Sequence, residues 1–137
     1  MTYNHKIAIV INGNLPVWQK LNVASFLASS VAIKFPETHG RSFVNASNSE
    51  YLPFIKHPIL IYKANDANEI KRAFNRAKER GIQIGIYTES LFTTKNEEEN
   101  HIEIAKHTDE SQILAGIVLN GENKLVSKSL DGLKFHE

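Results

Sequence analysis

The side chains of this 137-residue chain best placed to do chemistry are Lys20, Glu89 and a small set of Asn and Thr residues around them. Lys20 stands near the start of a helical pattern that opens after Asn12-Gly13-Asn14 and Pro16. Free N–H groups and the helix dipole favour an anion there, and an ammonium adds a further donor; an exposed, solvated lysine is the competing reading. Glu89 follows an apolar run and would serve as a general acid or base if buried, whereas on an open loop the same carboxylate is only solvated. In open α/β sheets the ligand crevice lies beyond the carboxyl ends of the strands. That rule selects Asn12 to Lys20 together with Asn22, then Lys63 to Asp66, then Thr88 to Thr94. Asn12, Lys20, Asn22, Thr88, Glu89 and Thr93 are therefore the candidate pocket. Trp18, Asn22, Ser25 and Ser29 recur at helical spacing, a stripe that reads either as a solvated face or as part of that crevice.

Several chemistries find no support in the residues. The chain has no cysteine, which removes thiolate zinc sites, cysteine nucleophiles and disulfides and fits a reducing compartment. No Walker loop, Gly-rich dinucleotide fingerprint, G-x-S-x-G elbow or H-E-x-x-H is present. The histidines, His5, His39, His57, His101, His107 and His136, are scattered. The closest two, His101 and His107, point to opposing sides of a helix, so neither a metal nor another cofactor is expected. A formal charge of +1 gives no strong field for a phosphate backbone. Nucleic acid is thus an unlooked-for partner from composition alone.

The elements that must position these residues read clearly. Ile7, Ile9 and Ile11 take one face of a first strand and Ala8 and Val10 the other, the pattern of a strand covered on both sides. Pro16 sits where a first helical residue tolerates a missing N–H, and the following helix carries an apolar stripe of Val17, Leu21, Ala24, Ala28, Val31 and Phe35 before Pro36 stops it. Residues 37–57 are rich in Ser, Asn, Gly and Pro, with apolar islands at Ser42–Val44 and Tyr51–Ile55; they form a long connection, either functional or a short edge strand closing the fold. A strand over Pro58 to Lys63 leads through Asn65-Asp66 and Glu69, a capping box, into a helix from Ala67 to Arg80 stopped by Gly81. A third strand alternates Ile82, Ile84 and Ile86 with Gln83, Gly85 and Tyr87. Strand, helix and strand in succession predict a parallel, right-handed crossover. Lys95 to Glu99 caps a turn or helix carrying Ile102, Ile104 and Ala105; Ile113 to Leu119 is a fourth strand that Asn120-Gly121 breaks; a short helix spans Asn123 to Leu130; and Leu133 and Phe135 add an extended segment.

Length and composition fit one globular α/β domain over residues 1–137. The polar first residues and the short apolar run Ile7 to Ile11 lead us to expect a cytoplasmic chain with no membrane segment.

Three stretches, K-I-A-I-V-I-N-G-N-L at Lys6 to Leu15, K-L-N-V-A-S-F-L-A at Lys20 to Ala28 and I-Y-T-E-S-L-F-T at Ile86 to Thr93, together with L-N-G-E-N-K-L-V at Leu119 to Val126, resemble the DUF-two-thousand family of domains of unknown function. The resemblance implies the fold of the archaeal and eukaryotic type of peptidyl-tRNA hydrolase: a three-layer α/β/α sandwich on a four-stranded mixed, mostly parallel sheet. It also implies a test of the hydrolase site. Those enzymes open their first helix with a lysine, Ala-Ala-Gln and a histidine; here only Lys20 matches, with Asn22, Ala24 and Leu27 at the other positions. After the third strand the hydrolases carry Asp-Ala-Gly and a threonine, where this chain has Tyr87-Thr88-Glu89-Ser90 and Thr93. Losing the glutamine and the aspartate removes groups that would orient a water at an ester.

Three functions follow as expectations. The first is a hydrolase-fold domain without the hydrolase catalytic set, binding a small ligand or partner protein in the crevice of Lys20, Asn22, Thr88 and Glu89. The second is hydrolysis of peptidyl-tRNA or a related ester by Lys20 with Thr93 and Glu89, which would make tRNA a partner. The third is a homodimerising module, if Tyr51, Leu52, Phe54 and Ile55 form an exposed apolar patch.

Overall fold

In the computed structural model, which describes residues 4–137, the apolar runs pair into one mixed five-stranded sheet. Strand β1 (His5–Asn12) is followed by helix α1 (Val17–Lys34), a 3-10 turn at Pro36–Thr38, and a separate small hairpin of β2 (Phe43–Val44) and β3 (Glu50–Tyr51). Then come β4 (Ile59–Ala64), α2 (Ala67–Glu79), β5 (Gln83–Thr88), a 3-10 turn at Glu89–Thr93, α3 (Glu97–Ala105), β6 (Leu114–Glu122), α4 (Asn123–Ser129) and β7 (Lys134–Phe135). The order across the main sheet is β5-β6-β1-β4-β7.

The sheet departs from the expected one in two ways. It has five strands rather than four, because Lys134 and Phe135 pair with Lys63 and Tyr62 and make the terminal extended segment a strand of its own. It is also mixed without being mostly parallel: β1 with β4 is the one parallel pair, and β1–β6, β5–β6 and β4–β7 are antiparallel. The reason is β6. It lies between β1 and β5 and runs against both, and a strand that is apolar on both faces carries no signal of direction. The expected crossover survives in direction, since β5 runs against β6 and β6 against β1, so β1, β4 and β5 point the same way and open their carboxyl ends on one side. Asn120 and Gly121 do not end β6; they pair with Ile7 and Lys6 and carry the strand on to Glu122.

Helices cover both faces of the sheet. Ile7, Ile9 and Ile11 pack under Val23, Leu27 and Val31 of α1; Ala8 and Val10 face Ile70, Ala73, Phe74 and Ala77 of α2, with Val126 of α4 beside them. Of the expected stripe on α1, Val31 is buried and Ala24, Ala28 and Phe35 pack beside it, but Val17 and Leu21 are 69% and 64% exposed, and Val23 and Leu27 are buried in their stead. An apolar residue occurs on nearly every flank of this helix, so spacing alone does not say which flank meets the sheet. The connection over residues 37–57 is partly regular, its hairpin turned by the Asn45 side chain, whose Oδ1 accepts from the N–H groups of Ser47 and Ser49. Tyr51, Leu52 and Phe54 are exposed there, while Ile55 packs against the α1-side core.

The Asp66 side chain caps α2, accepting from the Glu69 N–H at 2.9 Å, and the Glu69 carboxylate accepts in return from the Asn65 N–H at 3.0 Å. Gly81 follows with φ of +68°. Asp66→Ala is expected to cost about 1 kcal/mol of stability, read as a lower urea midpoint with an unchanged slope.

Candidate functional site

Residues two apart on a helix point to nearly opposite sides, and this separates Lys20 from Asn22. Lys20 faces the β4–β7 side of the sheet. Its Nζ lies 3.1 Å from Nε2 of His136, whose Nδ1 donates to the Glu137 carbonyl at 2.8 Å, so Nε2 is left to accept from the ammonium. Next to it Lys63 pairs with the Glu137 carboxylate at 2.6 Å, a hydrogen bond that holds that carboxyl below its ordinary range. Asn12, the last residue of β1, is buried, and its Oδ1 is taken up by the Asn14 N–H at 2.9 Å. The Asn14 side chain in turn donates to the Asn65 carbonyl at 2.6 Å. Asn12 thus builds the turn after β1, and Asn14 ties the β1 and β4 loops together.

Asn22 faces the other way, toward β5, and borders a cavity of about 600 Å³. Trp18 and Phe26, one helical turn to either side of Asn22, form the α1 wall; Tyr87 of β5 and Phe92 of the 3-10 turn form the opposite one. The rings touch in sequence. Trp18 meets Phe92 edge-on with centroids 6.3 Å apart, Phe92 lies 5.1 Å from Tyr87, and Tyr87 lies 6.0 Å from Phe26. The remaining rim is the cap of α3, where Asn96 accepts from the Glu99 N–H and the Thr94 hydroxyl bridges the Leu91 carbonyl and the Asn100 amide. Burial pushes the Tyr87 phenol above its usual pKa, so it stays a neutral hydroxyl through the physiological range.

The rest of the expected pocket supports the loop that carries Phe92. Thr88 is buried, with its hydroxyl 2.9 Å from that of Ser90. Thr93 donates to the Ser90 carbonyl at 3.1 Å. Glu89 anchors through its backbone N–H to the Ile113 carbonyl at 2.9 Å while its carboxylate is exposed. Of the six residues singled out from the sequence, Asn22 alone lines the cavity; Lys20 and Asn12 lie across α1, and Thr88, Glu89 and Thr93 hold the 3-10 turn. What the sequence reading passed over is the ring quartet. The signal for half of it was present, since Trp18, Asn22 and Phe26 recur every four residues on one flank of α1.

The lining has no nucleophile hydrogen-bonded to a base, and its charged members, Lys95 and Glu97, are exposed and of opposite sign. Among the described residues no three His, Asp or Glu side chains converge on a point where a metal could sit, and no helix is long and apolar enough to cross a membrane.

A mixed α/β sheet with helices on both faces and a ring-walled cavity at a carboxyl strand end thus defines the class of the protein. The family model described as "Protein of unknown function (DUF2000)" matches residues 5–137, and the chain belongs to that family. Its structure is similar to that of a protein of unknown function from Agrobacterium tumefaciens strain C58, with a TM-score of 0.95 and 28% sequence identity over 99% of this chain and 100% of the other. No curated protein matches the chain.

Proposed function

We propose that this is a non-catalytic binding domain of peptidyl-tRNA-hydrolase-like fold, whose ligand is a small planar molecule seated among Trp18, Phe26, Tyr87 and Phe92. The observation that carries the reading is the continuous chain of ring contacts around an open cavity beside a polar rim. Ring faces stack on a flat ligand and the free Asn22 amide reads its edge. The hydrolase alternative draws less support, because Lys20 points away from Thr93 and Glu89 and is engaged by His136.

Trp18 is the sole tryptophan, so its emission reports on the cavity. Titration with indole, quinoline, adenine and uracil is expected to shift that emission saturably for at least one compound, with Kd below about 1 mM. Phe92→Ala should weaken the binding about tenfold or more. No saturable change with any planar heteroaromatic would remove the proposal. Saturable cleavage of a peptidyl-tRNA that disappears in Lys20→Ala would replace it with the hydrolase.

A further inference from the structure

The two edges of the sheet are protected very differently. At one edge β7 is two residues long and carries Lys134, with His136 and Glu137 next in the chain. Short length and charge are the usual protection against strand pairing between molecules. At the other edge β5, Gln-Ile-Gly-Ile-Tyr-Thr, is six residues long and has no charged side chain and no proline. Among the described residues its backbone bonds only to β6, which leaves its outward N–H and C=O groups open. A long uncharged edge of this kind is a template for another strand.

A second feature lies on the same side. Trp18, Asn22, Phe26, Ser29 and Ile33 follow one another on α1 at intervals of four, four, three and four, the seam of a helix that packs against another helix. That flank looks out over β5: Trp18 and Phe26 border the cavity with Tyr87, and Ser30 and Lys34 lie beside Gln83 and Gly85. Trp18 is 58% exposed, Phe26 59% and Ile33 81%.

We infer that the partner on this edge is a second copy of the chain, related by a two-fold axis, with β5 antiparallel to its counterpart and α1 alongside the other α1. The geometry favours a copy over a lone extended peptide because one strand satisfies the edge but leaves the helical seam bare. A two-fold brings strand to strand and seam to seam at once, as a closed isologous interface requires. Such pairing turns two five-stranded sheets into one continuous sheet and closes the open side of the ring-walled cavity. The inference stands whether or not that cavity takes a ligand.

Sedimentation equilibrium over about a hundredfold range of concentration tests it, together with hydrogen exchange. The full chain is expected to dimerise, with the outward amides of Gln83–Thr88 protected in the dimer and exchanging freely in dilute solution. Ile33→Lys and Ser29→Lys, both at exposed positions, should weaken the dimer about tenfold or more while leaving the circular dichroism unchanged. Leu52→Lys and Phe54→Lys, on the hairpin connection, should leave it intact. A monomer at every concentration overturns the proposal. So does a dimer that dissociates with Leu52→Lys rather than Ile33→Lys, or one whose β5 amides stay unprotected.

Discussion

Ile117→Ala is expected to lower the stability of the fold by about 3 kcal/mol and to depress the Tm by about 10 °C. Ile117 is fully buried near the middle of β6, in the cluster formed by α2, α4 and one face of the sheet. It pairs with Val10 of β1 on one side and Ile86 of β5 on the other, so its side chain lies at the centre of three strands. Removing its outer carbons leaves a void that neighbouring strands cannot close without breaking register, and partial relaxation is what sets the cost. Urea unfolding should show the lower midpoint with little change in slope. A loss under about 1 kcal/mol would mean that β6 is not held between β5 and β1.

The neighbouring position gives the second large effect by the opposite route. Gly116 faces α1, and a Cβ there would lie 2.7 Å from Cγ1 of Val23 and 3.0 Å from the Val10 carbonyl oxygen. The glycine is what lets α1 sit close over β6 and β1. Gly116→Ala is expected to cost about 2 kcal/mol through overpacking. It should also lift the helix, carrying Trp18, Asn22 and Phe26 away from Tyr87 and Phe92. Binding of a planar ligand should then weaken about tenfold as the walls separate. Ile117→Ala, which acts on the other face of the sheet, should leave ligand binding near its original strength in the folded protein. Equal loss of binding in both variants would contradict the claim that α1 forms the movable wall.

The principal strands and the two longer helices were legible because each carries its own periodicity. Ile7 to Ile11 reads as a two-faced buried strand, and Asp66 with Glu69 reads as a cap that the hydrogen bonds reproduce. Direction was not legible for β6, because Leu114 to Leu119 is buried on both faces and reads alike from either end. The first turns of the buried line of α1 were misplaced for a related reason. Val17 and Leu21 offer the same apolar character as Val23 and Leu27, and only the position of Gly116 beneath the helix selects the latter pair. The site was half legible. The rule about carboxyl strand ends led to Asn22 and to the segment after β5, yet it chose polar and charged side chains there, and the cavity is walled by rings instead. Lys20 and Asn22 are two residues apart in sequence, and nothing short of the helix's orientation on the sheet reveals that they serve opposite sides.

The most direct measurement is a crystal structure of the protein soaked with the heteroaromatic that moves Trp18 emission most. The account predicts the ring lying among Trp18, Phe26, Tyr87 and Phe92 with its edge toward Asn22; a ligand seated beside Lys20 and His136, with the ring-walled cavity empty, would contradict it.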